Sequence, residues 1–159
     1  MDDLKNLEQA KVAFSTFCQA LEELEWTYKK DEENLSIEFG ARGDDLQMEI
    51  IVKVDADRML VMLMSQMPFV IPDDKRLDVA VAVSAVNNVL VDGCFDYDVT
   101  SGLLLFRTTN SFMDSLLSKE VFTYMLVASY TIIDKYNDKF LMLTKGMISI
   151  EQFLSTLAD

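Results

Sequence analysis

Apolar residues recur along this chain in two periods, and the changes of period mark its elements. Leu4, Leu7, Phe14, Phe17, Cys18 and Leu21 fall at three- to four-residue spacing with Ala10. They form one stripe on a helix of about five turns. Asp2 and Asp3 suit its start, because carboxylates offset the positive end of the helix dipole. Glu22, Glu23 and Glu25 close the stripe ahead of Trp26.

The period then drops to two. Trp26 and Tyr28 alternate with polar neighbours, and Lys29 to Asn34 reads as a solvated turn. Leu35, Ile37 and Phe39 oppose Asn34, Ser36 and Glu38, and Gly40 to Asp45 supplies the next turn. Leu46, Met48, Ile50, Val52 and Val54 then face away from Gln47, Glu49, Lys53 and Asp55, with Ile51 the exception on the polar side. Asp55-Ala56-Asp57 turns the chain into Met59 to Gln66, which is apolar on both faces. Such a run predicts a strand covered twice, by helices on one side and a subunit on the other. Three short connections in succession favour an antiparallel meander.

Met67-Pro68 ends that strand, since proline cannot donate to a ladder. Pro72 sets up a helix entry, with Asp73 and Asp74 in the first turn. Local signals conflict here: Val79, Val81 and Val83 alternate as in a strand, and valine is a weaker helix former. The absence of a breaker and the spacing of Leu77, Ala80, Ser84 and Asn87 or Asn88 decide for helix. Gly93 then opens a strand with Phe95, Tyr97 and Val99 on one face and Cys94, Asp96 and Asp98 on the other. Thr100-Ser101-Gly102 turns the chain, glycine tolerating positive φ, and Leu103 to Arg107 returns.

Ser118 is placed as an N-cap, with Leu117 and Phe122 as its staple, for a helix to Leu143. Lys145-Gly146 ends it. Ser149 with Gln152 forms a capping box, flanked by Ile148 and Phe153, for a last short helix to about Leu157. The order is helix, four strands, helix, two strands, then two helices. Without regular βαβ alternation that is an α+β chain, an antiparallel sheet (meander plus hairpin) packed against helices. No repeat, low-complexity tract or linker interrupts it, so residues 1–159 read as a single domain.

Composition narrows the function. The formal charge is −13, which repels phosphate and argues against nucleic-acid or anionic-membrane binding. Ten methionines suit either a gap-filled core or an adaptable partner-binding face. The chain has no histidine, so Ser-His-Asp and Cys-His mechanisms and histidine-ligated metals are excluded. Cys18 and Cys94 are too few for a structural zinc site and look like reduced core thiols. No phosphate-cradling loop occurs. With no leader before Leu4 and no bilayer-length apolar run, the expected compartment is the cytoplasm.

Carboxylates are what remains for chemistry. Asp92, Asp96 and Asp98 stand out; Asp96 and Asp98 share one strand face and could offer oxygens to a hard cation, but the calcium-loop pattern and its downstream glutamate are missing. Asp98 reads instead as starting the hairpin turn, with Asp96 facing water. Asn88 reads as satisfying backbone groups at the helix-to-hairpin junction, and Arg107 as pairing with a carboxylate across the hairpin. No catalytic, cofactor or metal residue is expected.

Pro72 before a helix, Asn87-Asn88, Gly93-Cys94-Phe95-Asp96-Tyr97-Asp98, Gly102 and Phe106-Arg107 together resemble the bacterial YbjN domain family. The resemblance implies a fold similar to type III secretion chaperones, commonly paired into dimers, and a proposed role in sensory transduction without catalytic residues. Its motif positions here are Pro72, Asn88, Gly93, Phe95, Asp98, Gly102 and Arg107. The expectation is a non-enzymatic protein-binding or regulatory domain, a homodimer, binding a protein or extended peptide. The alternatives are a secretion-type chaperone holding an extended client segment, and a small-ligand sensor or enzyme built on Asp96, Asp98 or Arg107.

Overall fold

The computed structural model describes residues 2–158; Met1, Asp159 and the side chain of Asp2 lie outside the described residues. The elements are α1 (Asp2–Glu23), β1 (Lys29–Asp31), β2 (Ser36–Arg42), β3 (Gln47–Asp55), β4 (Leu60–Gln66), α2 (Arg76–Val89), β5 (Cys94–Asp98), β6 (Leu103–Ser111), α3 (Lys119–Thr144) and α4 (Ile150–Ser155). A 3-10 turn at Asp73–Lys75 precedes α2. The strands form one antiparallel sheet in the order β1-β2-β3-β4-β6-β5. The α+β class and the order of elements are those expected from the sequence.

The core lies between one sheet face and the helices. Ile37, Phe39, Ile50, Val52, Val61, Leu63, Leu104 and Phe106 are all buried on that face. Phe17 of α1 meets Phe122 of α3 at 5.0 Å between ring centroids, and Phe95 of β5 meets Phe140 of α3 at 5.1 Å. The valine conflict in α2 resolves through packing: Val79, Ala82, Val83 and Val86 are buried on helical spacing, while Leu77 and Val81 stay exposed. An interior contact surface outweighs the small propensity cost of valine.

Two boundaries differ from expectation. Lys29–Asp31 is a strand, not a turn, and Trp26 to Tyr28 precede it. Both faces of β1 are exposed, so it shows no apolar alternation; ladder bonds to β2 define it. Asp31 then accepts from the amides of Glu33 and Asn34, and Leu35 takes φ 49° inside the turn. At the other hairpin, β6 continues past Arg107 to Ser111. Its polar end Thr108–Ser111 pairs with β4 along its length, which outweighs its lack of apolar character.

The capping signals hold. The Ser118 hydroxyl accepts from the Val121 amide at 3.4 Å, and both arms of the Ser149–Gln152 box are present. Gly146 follows α3 at φ 68°.

Candidate protein-docking surface

The stretch from Pro72 to Arg107 is held together by backbone satisfaction. Asn87 brackets Phe95: its Nδ2 donates to the Phe95 carbonyl at 2.9 Å, and its Oδ1 accepts from the Phe95 amide at 2.8 Å. The junction role expected of Asn88 therefore belongs to Asn87, and Asn88 is exposed. Both lie at the end of α2, and only the inward turn of the helix brings Asn87 over β5. Phe95, anchored this way, is 2 % exposed and stacks edge-on to Phe106, Tyr136 and Phe140.

Glycines make the close approaches. Gly93 has φ 75°, and a Cβ there would sit 2.5 Å from the Phe106 ring. Gly102 has φ 77°, and a Cβ would lie 2.3 Å from the Ile71 carbonyl oxygen. The Ile71 amide donates to the Gly102 carbonyl at 2.9 Å, tying the approach to Pro72 onto the hairpin. Pro72 itself, at φ −71°, caps the following 3-10 turn. Asp98 starts the hairpin turn: it accepts from the Thr100 amide at 2.9 Å and the Ser101 hydroxyl at 2.7 Å. Those hydrogen bonds, the Ser101 hydroxyl first, hold its carboxyl below the usual carboxylate range.

Arg107 finds its carboxylate partner across the hairpin. Its Nε lies 2.7 Å from Asp96 Oδ2, and a second guanidinium nitrogen donates to Oδ1 at 3.2 Å. This two-point contact to Asp96 raises the Arg107 pKa further. Asp96 therefore does not simply face water. Among the described residues no cluster of three or more His, Cys, Asp or Glu side chains could hold a metal. Asp92 is turned away to Tyr124, whose hydroxyl donates to it at 2.7 Å.

The Asp96–Arg107 pair lies on the sheet face opposite the helices. One row across that face reads Glu38, Ile51, Met64, Arg107, Cys94, and the next reads Ser36, Lys53, Met62, Thr109. Strand β4 sits centrally: Val61 and Leu63 point into the core, while Leu60, Met62 and Met64 are half-buried on the open face. Ile51 is 44 % exposed beside them, and Leu103 and Leu105 continue the stripe on β6. The second face expected of Met59–Gln66 is thus an apolar surface that the helices leave uncovered. Two signals marked it in the sequence, the Ile51 exception and the two-sided strand.

A cavity of about 460 Å³ lies elsewhere, between α1 and the β1–β2 edge, lined in part by Phe14, Cys18, Glu22, Tyr28, Lys30 and Leu35. The Tyr28 hydroxyl donates to Glu22 at 2.7 Å. Burial, then the Glu22 hydrogen bond, pushes the Tyr28 pKa well above that of free tyrosine. Burial also pushes the Cys18 thiol up, and burial with the neighbouring Asp96 does the same for Cys94. Neither cysteine has the low-pKa surroundings of a nucleophilic thiol. No sequence pattern pointed to this cavity, because it joins residues from separate elements.

These features define a class: a small α+β domain with helices on one side of an antiparallel sheet and an apolar-centred face on the other. Solved structures share the architecture. The chain is similar to YbjN from E. coli, described as a proposed transcription regulator. That match has a TM-score of 0.54 and 16% identity, and covers 79% of this chain and 91% of that one. It is also similar to a chain of the HopA1–SchA chaperone–effector complex, with a TM-score of 0.54, 14% identity, and 85% and 97% covered. At such identities the likeness establishes the fold, which is YbjN-like and secretion chaperone-like. No protein-family model matches the chain, and no curated protein matches it.

Proposed function

We propose that this chain is a non-enzymatic, protein-binding domain of regulatory type that works as a homodimer in the cytoplasm. The open sheet face with its apolar centre carries this reading, because exposed contiguous apolar surface on a small protein marks an interaction site. The two unpaired cysteines fit a reducing compartment. Among the described residues, no helix is long and apolar enough to cross a membrane. Light scattering at micromolar concentration, joined to affinity capture from native cells, tests the proposal. A dimer mass and a recurrent protein partner are expected; a monomer that captures nothing overturns it.

A second reading, a chaperone that holds an extended client segment, is favoured by the other edge of the sheet. Strand β1 pairs with only Ser36–Glu38 of β2, so among the described residues the outer edge of β2 beyond Glu38 has no strand partner. A second cavity, of about 380 Å³ and lined by Trp26, Thr27, Gly40, Ala41, Arg42 and Tyr130, offers a side-chain pocket next to that edge. The likeness to a chain of a chaperone–effector complex supports it. A captured polypeptide that slows amide exchange in Gly40–Arg42 and β1 is the expected result. Protection confined to other elements rules it out.

A further inference from the structure

The cavity of about 460 Å³ beside α1 lies on the helix side of the sheet, away from the open face. Its first wall is one continuous stripe of α1: Lys11, Phe14, Ser15, Cys18, Gln19 and Glu22 recur at helical spacing over about three turns. The second wall is Tyr28, Lys30, Glu32 and Leu35, from β1 and the segments on either side of it. The gap has a cause in the sequence. Lys30 stands opposite buried Ile37 in the ladder, so it occupies a helix-facing position where β2 places a core residue. Facing it, α1 offers the small side chains of Ser15 and Cys18, which leave the space between unfilled.

We infer that this cavity binds a small, uncharged amphipathic molecule, an aromatic or branched aliphatic body carrying a hydroxyl, carbonyl or amide group. The inference is independent of the protein-binding reading above, which concerns the opposite sheet face. Size supports it first. About 460 Å³ falls within the roughly 300–1,000 Å³ of small-molecule sites, which combine an apolar lining with a few placed polar groups. Here Phe14, Cys18 and Leu35, each no more than 7 % exposed, make the floor, while Ser15 and Gln19 stand exposed on α1 at the lip.

Charge balance is the second support, and it selects the class. The lining sets two lysines, Lys11 and Lys30, against two glutamates, Glu22 and Glu32, so it is neutral in a chain of net charge −13. Each of these groups already has a partner: Lys30 pairs with Glu32 at 2.6 Å, Lys11 with Glu8 at 3.3 Å, and Glu22 accepts from the Tyr28 hydroxyl at 2.7 Å. Burial raises the pKa values of Cys18 and Tyr28, so neither adds a negative charge at neutral pH. An anion would meet the field of an acidic chain, and a cation would find both lining carboxylates engaged. An uncharged molecule disturbs none of these pairs, and Ser15 and Gln19 supply its hydrogen bonds.

The test uses the full chain and two fluorescent probes with one ring framework. N-phenyl-1-naphthylamine is uncharged, and 8-anilinonaphthalene-1-sulfonate is the same body bearing a sulfonate. The neutral probe is expected to brighten on saturable binding, about 10-fold tighter than the sulfonate, whose charge would be buried without a partner. Ser15→Phe, at an exposed helix position that narrows the cavity mouth, is expected to weaken it about 10-fold with unchanged circular dichroism. The unsubstituted chain gives a second readout: the neutral probe slows alkylation of Cys18 by N-ethylmaleimide and leaves Cys94, on the open face, unaltered. Binding that survives Ser15→Phe and gives Cys18 no protection places the probe elsewhere and overturns the site. Sulfonate binding as tight as that of the neutral probe overturns the uncharged class. A chain that binds neither probe, or whose Cys18 is shielded only by a captured protein, overturns the inference as a whole.

Discussion

Replacing Asn87 with alanine removes both ends of the clamp on Phe95. Two hydrogen bonds disappear, at 2.9 and 2.8 Å, and they leave a backbone N–H and C=O beside a side chain that is 2 % exposed. Each bond contributes about 0.5–1.5 kcal/mol net, and each buried group left unpaired costs about 1–3 kcal/mol. Because Asn87 is only partly buried, water can reach some of the vacated space, so the total is set at about 2–4 kcal/mol. Against a domain stability of about 5–15 kcal/mol that is a substantial share. With a urea m-value of about 2 kcal/mol/M, the unfolding midpoint falls by about 1–2 M. Asn87→Asp, which keeps the acceptor for the Phe95 amide and loses the donor, falls in between. Asn88→Ala, at an exposed position, stays within about 0.5 kcal/mol of wild type. Equilibrium urea unfolding followed by circular dichroism measures all three. Equal midpoints for Asn87→Ala and Asn88→Ala would refute the clamp.

Further outcomes follow from the turns and caps. Gly102→Ala combines a left-handed φ of 77° with a clash against the Ile71 carbonyl at 2.3 Å, whereas Gly146→Ala at φ 68° meets nothing nearer than 3.6 Å. The first is expected to destabilise by clearly more than the ~1 kcal/mol left-handed penalty, the second by about that penalty; equal melting shifts would sink the close-approach argument. Ser149→Ala removes the serine arm of the α4 capping box and is expected to cost about 1 kcal/mol, read as a lowered thermal midpoint. Asp98 has a lowered native carboxyl pKa, so its contribution is present above the unfolded value near ~3.9 and is lost as pH falls through the native one. Stability measured from pH 6 down to pH 2 should drop less steeply for Asp98→Asn than for wild type. Parallel curves would exclude the Ser101 and Thr100 contacts as the cause.

Legibility differed between local and assembled features. Ser118, Gly146 and the Ser149–Gln152 box were readable because each depends on neighbours within a few residues. Alternation exposed β2 and β3, where one face is core and the other water. It failed at β1 and at the Thr108–Ser111 end of β6, whose existence depends on partner strands and not on a buried side of their own. Two adjacent asparagines at a helix end look alike until the helix is docked, so the sequence does not separate Asn87 from Asn88. The Asp96–Arg107 pair was anticipated only as Arg107 and some carboxylate, since selecting Asp96 requires the hairpin register.

By itself, the sequence determined the class of fold, the order of its elements, the turns that need glycine, and the lack of histidine-based chemistry. Those depend on periodicity, capping and residue type, all of which act over short stretches of chain. Only the tertiary structure decided that the helices share one side of the sheet, leaving Ile51, Met62 and Met64 uncovered on the other. The reason is physical: a strand apolar on both faces states that two surfaces need covering, but not which of them the chain covers with its own helices. That choice comes from the packing of α1, α2 and α3 onto the strands, through contacts between residues far apart in sequence.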